Sequence, residues 1–312
     1  MTVSYALALH GGAGTIPQSV DASPYREALL DALAAGEAAL ARGASALDAV
    51  IATVVRLEDC PLFNAGRGAV FASDATHELD AGVMDGATRA AGAVTLVRTI
   101  RNPILAALEV MRDGRSVLLG AEGAERFARE RGLDMVEPSY FSTPHRLAQL
   151  RAVQAQAGNR PVVDHDAEAM QDSLRSGTVG AVARDRLGHL AAATSTGGLT
   201  NKMPGRVSDT SIVGAGVYAN DASCAVSCTG TGEKFIRGCV AYEVHARIRF
   251  LGHDLERAAS AGIAEALQPL GGRGGLIAVG RDGQVAMPFN SSGMYRAWVR
   301  EGEAPRAAIY AA

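Results

Sequence analysis

The sequence predicts an α+β fold, a four-layer αββα sandwich in which two stacked, mainly antiparallel sheets lie between helical layers. Two observations lead there. Short strands in both halves of the chain are apolar on both faces, as strands covered from each side are. Helical stretches rich in Ala, Leu and Glu fall in pairs between them, and stacked sheets need such covers. The 312 residues, 48% hydrophobic and 20% charged, supply an ample core. That length allows about two domains or one large one.

The elements follow in chain order. Val3–Leu9 reads as a sandwiched strand and Gly11–Gly14 as the loop after it. Pro24–Arg42 is helical, and Ser45 caps a second helix over Ala46–Glu58. Val70–Phe71, Leu79–Val83 and Gly92–Val97 are short strands. Asn102 before Pro103 reads as an N-cap with proline at the first helical position, opening a helix over Ile104–Arg112. Ser116–Arg131 is another helix. From about Gln154 to Gly177 the chain turns polar and carries Pro161 and Asp164-His165-Asp166, which suggests an exposed, flexible linker of about twenty residues. Thr178–Arg184 and Leu190–Ser195 are strands flanking the turn Asp185–Gly188. Ala222–Cys228 is a strand that runs through Thr229-Gly230-Thr231-Gly232 into a helix from Glu233 to about Phe250. A further helix covers Asp254–Leu267. Gly275–Val279 and Gln284–Pro288 form a last hairpin.

Composition narrows the function. Thirty basic and 33 acidic residues give a net charge of −3, without a basic run of five or more, so nucleic acid is not an expected partner. No apolar run reaches the ~18 residues of a membrane span. The N-terminus lacks a basic n-region and reads as a buried strand rather than a signal peptide. Cys60, Cys224, Cys228 and Cys239 form no C-x-x-C pair or zinc spacing, so buried free thiols in a reducing cytoplasm are expected. Asn290-Ser291-Ser292 matches a glycosylation acceptor that a cytoplasmic protein would not use.

Ser176-Gly177-Thr178-Val179 carries the chemical signal. A polar linker ends in Gly-Thr just where an apolar strand begins. If the Gly177–Thr178 bond were cut, Thr178 would hold a hydroxyl nucleophile and its own α-amine base, whose reference pKa is about 7.7–8.0. Glycine before it tolerates the dihedrals of a strained scissile bond. Downstream, Thr194-Ser195-Thr196-Gly197-Gly198 ends a strand in hydroxyls. A loop then carries Arg206 and Asp209, and the Thr229–Gly232 turn offers backbone N–H groups to an oxyanion.

With these residues the chain resembles the plant-type L-asparaginases, or isoaspartyl peptidases, of the N-terminal-nucleophile (Ntn) hydrolases. The matching blocks are HGGAG (His10–Gly14), CPLFNAGRGAVF (Cys60–Phe71), HELDAGVMDG (His77–Gly86), GTVGAVARD (Gly177–Asp185), AAATSTGGLTNKMPGRVSDT (Ala191–Thr210), GAGVYAN (Gly214–Asn220), SCTGTGE (Ser227–Glu233) and PFNSSGMYRAW (Pro288–Trp298). They span nearly the whole chain in order. The resemblance implies one Ntn-hydrolase domain over 1–312, autocleaved into 1–177 and 178–312, and hydrolysis of L-asparagine and β-aspartyl dipeptides. It implies Thr178 as nucleophile, Thr196 beside it, Arg206 on the substrate α-carboxylate and Asp209 on its α-ammonium. Thr229 and Gly230 would form the oxyanion hole, Gly232 would shape the pocket and Asn64 would lie near the nucleophile. No cofactor is expected for catalysis. A structural sodium ion would take backbone carbonyls of Leu57, Glu58, Cys60, Phe63, Ala65 and Arg67. A dimer of cleaved protomers acting on small molecules in the cytoplasm completes the expectation.

Plainer readings stand beside these. Arg206 and Asp209 can pair with each other on a surface loop, and Thr196 can cap backbone at a strand end. His10 reads as a satisfied structural histidine. Asp80 and Asp85 read as turn and strand-end acceptors. Gly214–Ala219 fits G-x-G-x-x-A, but a strand rather than a helix follows, so no dinucleotide site is expected. A glycosylasparaginase-like activity and a non-catalytic binding protein are the rival functions. Lack of a signal peptide speaks against the first. The intact Gly177-Thr178 junction with its polar set speaks against the second.

Overall fold

The computed structural model describes residues 4–16, 18, 19, 21–157 and 177–311. The expected linker lies outside these from 158 to 176, and its first residues, 154–157, belong instead to a helix.

Among the described residues two sheets form the centre. Strands β1 (Ala6–Gly14), β2 (Leu79–Asp85), β3 (Ala91–Val97), β4 (Leu118–Gly120), β5 (Val179–Arg184), β6 (Leu190–Thr196), β11 (Gly293–Arg300) and β12 (Arg306–Ala308) make an eight-stranded sheet in the order β12-β11-β1-β5-β6-β2-β3-β4. All its pairs are antiparallel except β3 with β4. Strands β7 (Val217–Ala219), β8 (Cys224–Gly230), β9 (Gly274–Gly280) and β10 (Val285–Ala286) make a four-stranded antiparallel sheet in the order β10-β9-β8-β7.

Strand alternation assigns the layers. Leu7, Leu9, Val179, Ala181, Ala191 and Ala193 face the helices α1 (Ser23–Ala41), α2 (Ala46–Asp59) and α3 (Pro103–Asp113). Their alternate neighbours Ala6, Ala8, Val182 and Ala192 face the second sheet. Beyond that sheet lie α7 (Val240–Leu251) and α8 (Leu255–Ala261). The order is helix, sheet, sheet, helix. Leu7 and Leu9 are fully buried, each worth about 1.5–3 kcal/mol relative to exposure, while alanines on the inner face let the sheets approach. Helix α2 starts as expected: Ser45 accepts the Asp48 N–H at 3.1 Å and Asp48 accepts the Ser45 N–H at 3.3 Å, a reciprocal cap.

Several elements differ from expectation. The Gly11–Gly14 segment is not a loop. It continues β1, with a register shift between His10 and Gly12. Val70–Phe71 form no strand, and the nearby pairing is a single bridge from Ala72 to Lys202. The Ser116–Arg131 helix is β4 followed by α4 (Ala121–Glu130). Helix α5 (Pro144–Ala157) and strands β11 and β12 were not anticipated. The helix expected from Glu233 is broken into α6 (Gly232–Gly238) and α7 at Cys239, where φ is +45°. Asn102 makes no side-chain cap; the Ile104 N–H is taken instead by the Glu58 carboxylate at 3.1 Å. Cys224 and Cys228 are buried as expected, but Cys60 is only partly buried and Cys239 is exposed. No helix among the described residues is long and apolar enough to cross a membrane.

Candidate active site

Thr178 precedes β5 in the middle of the large sheet, with β1 on one side and β6 on the other. It is 8% exposed. Its Oγ1 donates to Thr196 Oγ1 at 3.1 Å, and Thr196 Oγ1 also accepts the Gly198 N–H at 3.0 Å. Thr196 thus spends both lone pairs and keeps its own proton. The Thr178 carbonyl accepts from His10 Nδ1 at 2.9 Å.

Gly177 lies against Gly12. A Cβ on Gly12, whose φ is +114°, would come within 2.7 Å of the Gly177 backbone, and a Cβ on Gly177 within 2.6 Å of Thr229 Oγ1. The bond before Thr178 therefore sits in a notch that only glycine fills. Thr229 is fully buried near the end of β8. Its Oγ1 accepts the Ala13 N–H at 3.2 Å, which leaves the hydroxyl proton for another acceptor. Gly230 still belongs to β8, at φ +145°. Thr229 and Gly230 are thus strand residues, not part of the expected turn.

Arg206 and Asp209 do not pair with each other. Arg206 Nε donates to Glu233 at 2.8 Å. Asp209 is buried and its Oδ2 has no partner. Burial pushes its carboxyl up to about 7 against the pull of Arg206. Both flank Gly232, where an added Cβ would lie 2.8 Å from Arg206 Nη2 and from Asp209 Oδ1. That small gap between a guanidinium and an unpaired carboxylate suits a ligand carrying both charges.

Two acids strap this loop to β2. Glu78 accepts the Gly205 N–H at 2.8 Å, and its carbonyl accepts Lys202 Nζ at 2.6 Å. Asp80 accepts the Ser208 N–H and hydroxyl at 2.9 and 2.7 Å, and Thr95 Oγ1 at 2.5 Å. Asp85 accepts the Ala87 and Thr88 N–H groups. Asp80 and Asp85 thus work as turn and strand-end acceptors, as expected. Burial draws the Lys202 ammonium down to about 8, with Arg206 adding to the effect. Glu78 and Lys202 were absent from the sequence reading. Their charge inside the blocks that carry the resemblance is the available signal, but nothing in the spacing says that they are buried.

Asn64 is fully buried and holds the strand end rather than standing free. Its Nδ2 donates to the Gly198 carbonyl at 2.7 Å and its Oδ1 accepts the Val70 N–H at 2.9 Å. The loop that carries it, from Leu57 through Glu58, Cys60, Phe63 and Ala65 to Arg67, folds back on itself: the Arg67 N–H donates to the Glu58 carbonyl at 2.7 Å. The Pro61 and Phe63 carbonyls converge beside Gly68, 2.5 and 2.8 Å from where a Cβ would stand. The Glu58 side chain points elsewhere. It accepts Ser195 Oγ at 2.6 Å, and burial pushes its pKa up to about 8.

The family model described as Asparaginase matches residues 3–309. An isoaspartyl peptidase from Salmonella typhimurium is 52% identical, over 97% of this chain and 98% of its own. The Escherichia coli isoaspartyl peptidase is 51% identical, over 97% and 95%. A plant-type L-asparaginase from Thermococcus kodakarensis is 39% identical, over 97% and 99%.

Proposed function

The chain belongs to the asparaginase family, and on that premise we propose that it is an isoaspartyl peptidase and L-asparaginase whose nucleophile is Thr178. The observation that carries this reading is the buried Thr178–Thr196 hydroxyl pair beside the Gly12–Gly177 notch.

Autocleavage of the Gly177–Thr178 bond would give subunits 1–177 and 178–312 and free the Thr178 amine. The neutral amine takes the Oγ1 proton as the oxygen attacks the β-carbonyl of the substrate. Thr229 Oγ1 and the Gly230 N–H hold the tetrahedral oxyanion. Collapse expels ammonia, or the amine of the C-terminal residue, which leaves with a proton from the Thr178 ammonium. Water then hydrolyses the aspartyl ester by the same route. Arg206 holds the substrate α-carboxylate in a fork and Asp209 holds the α-ammonium, with Gly232 keeping the gap open. Asn64 and Thr196 fix the strand end beside the nucleophile.

A structural sodium ion belongs to the same proposal. Carbonyls of Leu57, Glu58, Cys60, Phe63, Ala65 and Arg67 would hold it, since backbone oxygens suit a hard cation. It would stiffen the loop bearing Asn64 and takes part in no step. A cytoplasmic location and a dimer of cleaved protomers complete the reading.

Intact mass and N-terminal sequencing test it. Active enzyme should give two associated fragments, one beginning Thr-Val-Gly-Ala, and Thr178→Ala should stay one inactive chain. The wild type should hydrolyse β-Asp-Leu and reject α-Asp-Leu, whose aspartyl α-carboxyl is tied up in the peptide bond. Activity in an uncut chain would overturn the nucleophile. Equal rates on both dipeptides would overturn the pocket.

A further inference from the structure

Beneath Thr178 runs a chain of hydrogen bonds whose directions are all fixed by chemistry. The Thr178 carbonyl can only accept, and His10 Nδ1 lies 2.9 Å from it. The ring proton is therefore on Nδ1. His10 is fully buried and neutral, because burial draws its pKa down to about 3. Its Nε2 is then a bare acceptor. The group 2.8 Å away is the Ser227 hydroxyl, which spends its only proton there. Ser227 Oγ in turn accepts from Thr194 Oγ1 at 2.8 Å. The Gly216 carbonyl, 3.3 Å from Thr194, competes weakly for the same proton. The run is Thr194 to Ser227 to His10 to the Thr178 carbonyl. It leaves the large sheet at β6, enters the small sheet at β8 and returns through β1.

Backbone pairing does not reach Thr178. The β1–β5 ladder ends at His10 opposite Gly180, and the β5–β6 ladder at Val179 opposite Ser195. The shift in β1 after His10 ends the regular ladder there. The His10 ring supplies the N–H that the ladder does not. We propose that His10, oriented by Ser227 and Thr194, is a positioning residue that pins the Thr178 carbonyl and so sets where the nucleophile's amine and hydroxyl point. The inference rests on reading Thr178 as the nucleophile. Once Gly177 no longer holds it from the other side, the His10 bond and the Thr196 bond fix its orientation. Gly180 leaves the room this needs, since a Cβ there would strike Ser227 Oγ and approach His10 Nε2 within 2.7 Å. Linked bonds of this kind reinforce one another, and a missing link leaves a buried acceptor unpaired.

The test combines a spectrum with kinetics. In ¹⁵N-histidine-labelled wild type, His10 should show a protonated Nδ1 and a bare Nε2 across the working pH range. His10→Leu should lower kcat on β-Asp-Leu and the self-cleavage rate by about 10–100-fold, the scale of an unpaired buried acceptor. KM should stay within about twofold, because Arg206 and Asp209 lie on another loop. His10→Asn, whose amide nitrogen overlays Nδ1, should recover about tenfold of that loss. Ser227→Ala keeps the ring and should cost about three- to tenfold in kcat. A proton on Nε2, an Asn variant no better than the Leu variant, or a loss confined to KM overturns the proposal. If His10→Leu does not fold, the wild-type spectrum and Ser227→Ala decide. Turnover by Thr178→Ala would instead remove the nucleophile reading and leave the tautomer result standing.

Discussion

The two halves of the site are built on opposite plans. The hydroxyl and the carbonyl of Thr178 both have partners, and those partners sit on strands: Thr196 at the end of β6 and His10 in β1, itself bonded to Ser227 in β8. Arg206 and Asp209 lie between strands and are only partly satisfied. Asp209 Oδ2 is buried without a partner, and Arg206 leans on the half-exposed Glu233. On the proposed reading, the attacking group must be in one place before substrate arrives, and its partners hold it there. On the same reading, Arg206 and Asp209 are completed only by the substrate, so an impostor lacking either charge would leave a buried group unpaired. The straps from Glu78 and Asp80 limit the cost of an unpaired loop by fixing its ends.

Three perturbations sharpen this contrast. The largest should come from the saturated side. Thr229→Val removes the hydroxyl proposed to donate to the oxyanion and should lower kcat about 10²–10³-fold with KM little changed. Self-cleavage should slow as well, since it passes through an oxyanion. Rapid-quench kinetics on β-Asp-Leu checks this, and near-normal kcat would place the oxyanion donor elsewhere. On the reading side, Arg206→Ala should lower kcat/KM about 10²-fold, and Arg206→Lys should restore only part, because an ammonium cannot make the two-pronged contact. Steady-state assays of both variants decide. Full rescue by lysine would mean that the guanidinium shape does nothing.

The smallest effect is a pH limb. Asp209 must be ionised to meet an ammonium, and burial raises its pKa to about 7. KM should therefore rise about tenfold per pH unit below about 7, while the Thr178 amine governs kcat. Asp209→Asn should abolish the limb at a much lower kcat/KM. The same proton links to stability. Asp209 binds it more tightly folded than unfolded, so its stabilising contribution is complete below the ordinary carboxylate range and lost as pH rises through about 7. A KM independent of pH down to 5 would show that Asp209 stays ionised or is not used.

Much of this was legible in the residues, and the failures have physical causes. The sandwich could be read because β5 and β6 are buried on both faces and so lack alternation. The expected strand stops at Leu9 because the glycines beyond carry no face to alternate, although β1 runs on to Gly14. Helix α5 was missed because its apolar positions, Leu147, Leu150 and Val153, lie among Arg and Gln side chains. One of these, Arg146, is itself buried and donates to the Gly68 carbonyl at 2.7 Å. β11 mixes Tyr295, Arg296 and Arg300 with its core residues and lies near the sheet edge. In the site, Arg206 and Asp209 stood out as a spaced pair of opposite charges. The link from His10 through Ser227 to Thr194 did not, because its members lie on three strands and only folding brings them together.

The strand order has a consequence for the proposed cut. In the large sheet β1 comes from before Gly177, yet it lies between β11 and β5, both from after it, and β6 then pairs with β2. The two products of a cut before Thr178 would thus be woven through one sheet rather than laid side by side. Neither could leave without unzipping three internal ladders, so the nicked molecule would hold together with no covalent tie. Its reassembly after denaturation would need two molecules to meet, and would depend on concentration where the uncut precursor folds alone. If the precursor folds as one chain and is then cut, the working enzyme would keep a shape that its separate pieces could regain only by finding each other.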